Sequence, residues 1–295
     1  MVQEKNDNIR ALFIYLLILV LLCAGFIFGA RLLGEQGVYL AQGYMLTPAI
    51  AALITRLFFY KPRFKDANLR LGRLGDYFKI WLAALAITAV SYGIYTLLGA
   101  IGWDLSGSNF LVRLGEQFAL SGEDINDTLP AGFTPHMMLW LFVIGGLTVF
   151  NILPGLITGF GEEFGHRGFM FPALYRINPW LGFILGGLLW FAWHVAIQLM
   201  LPPGTAMSAR DTVLNYLILA AGSICTFAYL SAIYVKSRSV FVTAIAHIAM
   251  NNAAAALSYF VVVENQLLAN LGLTLTMLLV VLILAARRMF SFSIE

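Results

Sequence analysis

Eight times along this chain about twenty residues pass with almost no charge. These runs fall at 11–31, 38–59, 78–101, 137–160, 180–200, 212–234, 240–262 and 266–286. A helix of ~20 apolar residues crosses ~30 Å of hydrocarbon, and a helix satisfies its own backbone polar groups where no water can. The recurrence predicts an all-α, polytopic membrane protein of about eight transmembrane helices, forming one membrane domain over 1–295. Composition agrees, since 60% of the 295 residues are hydrophobic and 11% are charged. A soluble domain carries about a quarter charged residues. The first run is long and lacks a small-residue cleavage pattern, so it reads as a retained helix rather than a signal peptide. Cys23 and Cys225 both lie in apolar runs and read as small packing residues, which leaves no disulfide framework and no cysteine-rich metal site.

Charge placement sets the expected orientation. With the N-terminus inside, fifteen of the eighteen Lys and Arg residues fall on inner segments, and only Arg31, Arg113 and Arg210 fall outside. That bias predicts an N-in, C-in protein. Residues 56–79 form a basic inner loop, read mainly as a topology signal at the inner leaflet. Residues 102–135 form an acidic outer loop in which Phe110, Leu111, Leu114 and Phe118 share a helical face, the pattern of a short interfacial helix. No nucleic-acid partner is expected; the expected surroundings are membrane lipids, with the chain an integral, multi-pass membrane protein.

Topology leaves a small set of polar residues at membrane depth. Such residues cost several kcal/mol unless paired, so each is a functional candidate. They are Glu162, Glu163, His166 and Arg167 in GFGEEFGHRGF, His194 in WFAWHVAIQL, and His247 with Asn251 in AIAHIAMNN. The fourth histidine, His136, falls in the outer loop region. His247 and Asn251 are four apart and share a helix face, as do Glu163 and Arg167, whose spacing suits an internal ion pair. That pairing would leave Glu162 free, with His166 four residues on and no assigned role for it. Trp190, four before His194, could wall the same pocket. Gly155 with Gly159 and Gly182 with Gly186 make small-xxx-small patterns that let helices approach closely. Pro154 should kink or interrupt the fourth span, giving a kinked or re-entrant region around 154–176.

Three spans thus contribute a carboxylate, two histidines and an asparagine. For peptide hydrolysis, Ser223 is isolated and no His-Glu-x-x-His sequence is present. No aspartate lies within a span. A carboxylate that activates water directly remains, with His194 orienting the water and His247 and Asn251 available to an oxyanion. A proton-relay transporter built on Glu162 and His194 is a competing reading, although the repeated halves common in transporters are not seen. Glu162, His194 and His247 also make a two-histidine, one-carboxylate set of the kind that holds catalytic zinc.

Glu162-Glu163-x-x-x-Arg167, an aromatic-x-x-x-His ending at His194, and His247-x-x-x-Asn251 together resemble the three motifs of the CAAX protease and bacteriocin-processing family, which includes the eukaryotic Ras-converting CAAX endopeptidase. The resemblance covers roughly 135–260, the expected catalytic core. It implies an eight-helix intramembrane glutamate protease with a cavity open to the cytosol, no metal, and a peptide or lipid-modified protein as substrate. It implies Glu162 as base, His194 as its partner on the water, His247 and Asn251 as the oxyanion site, and Glu163 and Arg167 as support. The family usually has phenylalanine where Trp190 stands. Its bacterial members also imply an alternative, a non-proteolytic scaffold or bacteriocin immunity protein on the same fold. Depth adds a last expectation. At 1.5 Å per residue His247 and His194 lie ~10 and ~20 Å into their spans, so the helix bearing Glu162 must be sunk into the protein, with 150–176 partly at membrane depth.

Overall fold

The computed structural model describes residues 2–120, 124–148, 152–201 and 207–290. Nearly all of them are helical, in an all-α membrane bundle. Helix α1 spans Val2–Leu33. A 3-10 turn (Gly34–Tyr39) and α2 (Leu40–Tyr44) reverse the chain into α3 (Thr47–Phe58), which packs back along α1. Then follow α4 (Leu74–Leu97), β1 (Ile101–Trp103), α5 (Ser108–Leu120), α6 (Ile125–Thr128) and α7 (Pro135–Leu147). Helix α8 (Ile152–Gly165) runs through a π-helical turn (His166–Met170) into α9 (Phe171–Ile177). A second π turn (Leu181–Leu185) leads into α10 (Gly186–Ile197). The chain ends in α11 (Ala209–Ser237), α12 (Val240–Ser258), β2 (Val261–Val263) and α13 (Gln266–Ala286).

Among the described residues, six helical stretches are long and apolar enough to cross a membrane: 6–44, 74–97, 181–200, 209–237, 240–258 and 266–286. The expected spans 38–59 and 137–160 are not single long helices. The first is cut at Met45–Leu46, and Pro48 sits in the opening turn of α3, where its missing N–H costs no helical bond. The second is cut after Leu147, upstream of Pro154, which occupies the first turn of α8. The short apolar helices α3 and α7 lie in these two runs, and α8 takes up the end of the second.

Helix α12 is the hub, packed against α8, α4, α7 and α11. Small residues permit its approach to α8. A Cβ on Gly159 would stand 2.7 Å from the Ile248 side chain, and one on Gly165 would stand 2.4 Å from the backbone of Pro48 in α3. The expected interfacial helix is α5, whose Phe110 packs on Tyr259 at 4.4 Å between ring centroids. A ribbon absent from the expectations closes that end of the bundle: Ile101–Trp103 pairs antiparallel with Val261–Val263, a β-branched run.

The helix carrying the acidic cluster is the most enclosed in the molecule, with residues 161–175 buried without a break. A helix apolar on one stripe lies at a surface, whereas one buried on every side lies in a core. This one is sunk by α3 on one flank and α12 on another. It runs on through the π turn into α9.

Candidate functional site

Glu162 and Glu163 leave α8 on neighbouring faces and are 1% and 0% exposed. Glu163 Oε1 accepts from Arg167 Nη1 at 2.8 Å, the i,i+4 pair expected from spacing. The same oxygen lies 3.0 Å from His247 Nδ1 on α12. A carboxylate only accepts, so Nδ1 carries the proton and Nε2 of His247 is left for other use. The Arg167 guanidinium is fully buried and lies over the rings of Phe227, at 4.2 Å, and Trp190, at 5.0 Å. Two aromatic faces and one carboxylate thus enclose a charge that would otherwise be costly to bury.

Glu162 is not left free. Trp190 Nε1 on α10 donates to Glu162 Oε1 at 2.5 Å. His194 Nε2 lies 3.7 Å from that oxygen, and His247 Nδ1 lies 4.0 Å from Glu162 Oε2. His194 Nδ1 meets the Trp190 carbonyl at 3.0 Å. Because a carbonyl only accepts, that contact makes Nδ1 the protonated nitrogen and presents Nε2 as an acceptor facing Glu162. A separation of 3.7 Å is too long for a direct hydrogen bond. It suits one water about 2.8 Å from both atoms, giving a hydrogen to each.

A second layer fixes His194. Trp193 Nε1 donates to Thr47 Oγ1 at 3.1 Å, and Tyr44 Oη donates to the Trp193 carbonyl at 2.8 Å while its ring stacks on that indole. Cys23 Sγ closes on Thr47 Oγ1 at 3.6 Å, so this cysteine packs as expected, in a polar niche. His166 is fully buried, edge-on to Trp193 with ring centroids 5.2 Å apart.

Six of the singled-out side chains therefore meet: Glu162, Glu163, Arg167, Trp190, His194 and His247. Asn251 does not join them by contact. It is exposed one turn beyond His247, and its side chain makes no hydrogen bond among the described residues. His136 is exposed in the first turn of α7. Four contributors were not singled out: Thr47 and Tyr44 on the opening segments, Trp193 beside His194, and Arg56. Arg56 counted as a topology charge, and nothing in its local sequence marks it as buried.

The same geometry bears on metal ligation. Ligand atoms of Glu162, Glu163 and His247 lie within 4.8 Å of one another. Yet Glu163 Oε1 already bonds both His247 Nδ1 and the Arg167 guanidinium. A permanent positive charge at 2.8 Å from the central ligand oxygen occupies the place of a cation. The donor set fits a metal poorly.

Fold and site together define a multi-pass membrane protein that buries a carboxylate–imidazole–guanidinium cluster among its helices. Residues 144–253, which hold every one of the motif residues, match the family described as type II CAAX prenyl endopeptidase Rce1-like. Over that stretch the chain is similar to the CAAX protease family, whose description names a peptidase. No curated protein matches the chain.

Proposed function

We propose that this protein is an intramembrane endopeptidase of glutamate type, with Glu162 as its base. The observation that supports this reading most directly is the pairing of a buried carboxylate with an acceptor nitrogen 3.7 Å away, a spacing suited to one bridging water. Glu162 takes a proton from that water as its oxygen attacks the scissile carbonyl carbon. The electron pair of the C=O bond moves to oxygen, giving a tetrahedral oxyanion. Its collapse breaks the C–N bond, and the proton on Glu162 passes to the leaving amine. The products are a carboxylic acid and an amine, with the base regenerated. His194 orients the water through Nε2.

His247, held at Nδ1 by Glu163, donates to the oxyanion from Nε2 when the ring carries its second proton. Asn251 adds its amide from the next turn. Each such donor is worth about 3–4 kcal/mol of transition-state stabilisation. Glu163 and Arg167 set the ring of His247, and Trp190 sets Glu162. The substrate class supported by the family match is a protein or peptide, prenylated at its cysteine if this chain keeps the preference named in the family's description.

The test is cleavage of a farnesylated quenched-fluorescent peptide by the full chain in proteoliposomes. Glu162→Gln keeps an acceptor for Trp190, so insertion and stability are expected to persist while cleavage is lost. Cleavage retained by a correctly inserted Glu162→Gln protein refutes the assignment of the base. A host phenotype surviving the combined loss of Glu162, His194 and His247 would favour the non-proteolytic scaffold.

A further inference from the structure

Arg56 ends α3 on the side of the bundle that carries the basic 59–73 loop, and it is 1% exposed. A terminal arginine normally snorkels to water, but this one turns inward. Its Nη1 donates to Asp66 Oδ1 at 2.7 Å and to the carbonyl of Arg63, and its Nη2 donates to the carbonyl of Gly168. The guanidinium carbon also lies 5.4 Å from the ring of Tyr60 and 5.3 Å from that of Phe169. Asp66 is tied in turn by Tyr60 Oη at 2.6 Å and Arg176 Nη2 at 3.2 Å.

The carbonyl that Arg56 reaches is significant. Gly168 stands four residues before Pro172, which has no N–H to return to it. The Gly168 carbonyl in the π turn at His166–Met170 therefore cannot take the usual i+4 bond, and Arg56 gives it a side-chain donor from another helix. Gly168 adjoins Arg167, whose guanidinium holds Glu163, which holds His247.

We propose that Arg56 is a positioning residue for the reaction proposed above, acting through the Gly168 carbonyl to hold the π turn that carries Arg167. The inference rests on that functional reading. Arginine is required because three acceptors converge on one planar fork, a geometry that an ammonium group cannot match.

Arg56→Lys and Asp66→Asn, in the full chain in proteoliposomes, test it beside wild type and Glu162→Gln. Two readouts are taken: kcat and KM for the farnesylated reporter peptide, and amide exchange across residues 163–171. Displacement of a catalytic group by about 1 Å costs on the order of 10²-fold. Arg56→Lys is expected to lower kcat by about that factor with KM held within about twofold, and to speed exchange in the π turn but not in α12. Asp66→Asn, which leaves the guanidinium in place, is expected to fall between wild type and Arg56→Lys. Unchanged kcat in Arg56→Lys, a loss confined to KM, or unchanged exchange in the turn would each overturn the proposal. If wild type fails to cleave, or Glu162→Gln cleaves like wild type, the functional reading fails, and exchange alone still decides whether Arg56 holds the turn.

Discussion

Glu163 and Arg167 can be removed one at a time or together, and the three outcomes are not additive. Both side chains are fully buried, and Arg167 Nε and Nη2 have no other hydrogen-bond partner among the described residues. Glu163→Gln keeps an oxygen to accept from His247 but leaves the guanidinium facing no charge. Breaking a buried pair by removing one partner costs about 3–5 kcal/mol. Arg167→Met leaves the carboxylate uncompensated at a similar cost, and it also gives up the contacts over Phe227 and Trp190, worth about 2 kcal/mol when desolvated. In the double variant neither charge is stranded, so only the aromatic contacts and some packing are lost. The expected cost is about 2–3 kcal/mol, against roughly 8–12 kcal/mol for the sum of the single variants. Reversible unfolding in mixed micelles, followed by tryptophan fluorescence with denaturant as the variable, measures all three. Additivity within about 0.5 kcal/mol would refute the reasoning, because independent sites add and coupled ones do not.

Three further outcomes follow from particular contacts. Trp190→Phe substitutes the residue usual in the family, and it deletes the indole donor to Glu162 while keeping a ring. Hydrogen bonds to charged groups contribute about 1.5–3 kcal/mol, so the same unfolding assay should show a loss of that size; a change under about 0.5 kcal/mol would remove Trp190 from the site's support. Gly165→Ala pushes a methyl into the Pro48 backbone, whereas Gly155→Ala meets the movable Ile248 side chain at 3.2 Å. The first should cost about 1–3 kcal/mol and clearly more than the second, and equal effects would show that α3 and α8 are not locked there. Burial alone would raise the Asp66 carboxyl, but Arg56, the hydrogen bonds from Arg56 and Tyr60, and Arg176 together hold it below its ordinary 3.8. A depressed carboxylate contributes stability above its unfolded pKa and loses it as pH falls through the folded value. The Asp66 network should therefore be insensitive to pH from neutrality down to 3.8 and loosen only below it. Exchange protection in 60–68 that declined between pH 7 and 5 would contradict this.

What the sequence disclosed was what spacing can encode. Glu163 and Arg167 are four apart on one helix, so their pairing is a property of helical geometry alone. The burial of 161–175 was legible as a need, since His194 and His247 lie deep in their own helices and Glu162 had to meet them. The same four-residue spacing said less about Asn251. Residues i and i+4 share a face but stand ~6 Å apart along the axis, and that rise carries the asparagine to an exposed position while His247 stays under α8. The bonds of Trp190 to Glu162 and of His247 to Glu163 join different helices, and no local pattern specifies which atoms of a three-helix junction will touch. Arg56 was illegible for another reason. A basic residue closing an apolar run has the same sequence signature whether it reaches water or turns inward, and the acceptors that draw Arg56 in, on Arg63, Asp66 and Gly168, all lie outside that run.

The unbroken burial of 161–175 also bears on how the chain is assembled. On its own, a segment with Glu162, Glu163 and Arg167 near its middle would pay about 2.5–3.5 kcal/mol per charge to enter lipid. It becomes comfortable only once α3 has presented Pro48 and α12 has brought His247. Helix α12 is made some seventy residues later in synthesis. Until then the half-made protein must keep its charged helix at the membrane surface or in the care of the insertion machinery, so the acidic cluster would enter the bilayer among the last parts of the bundle. A cysteine placed at Gly161 should react with a membrane-impermeant thiol reagent in a nascent chain halted after α9, and should be shielded in one released after α12.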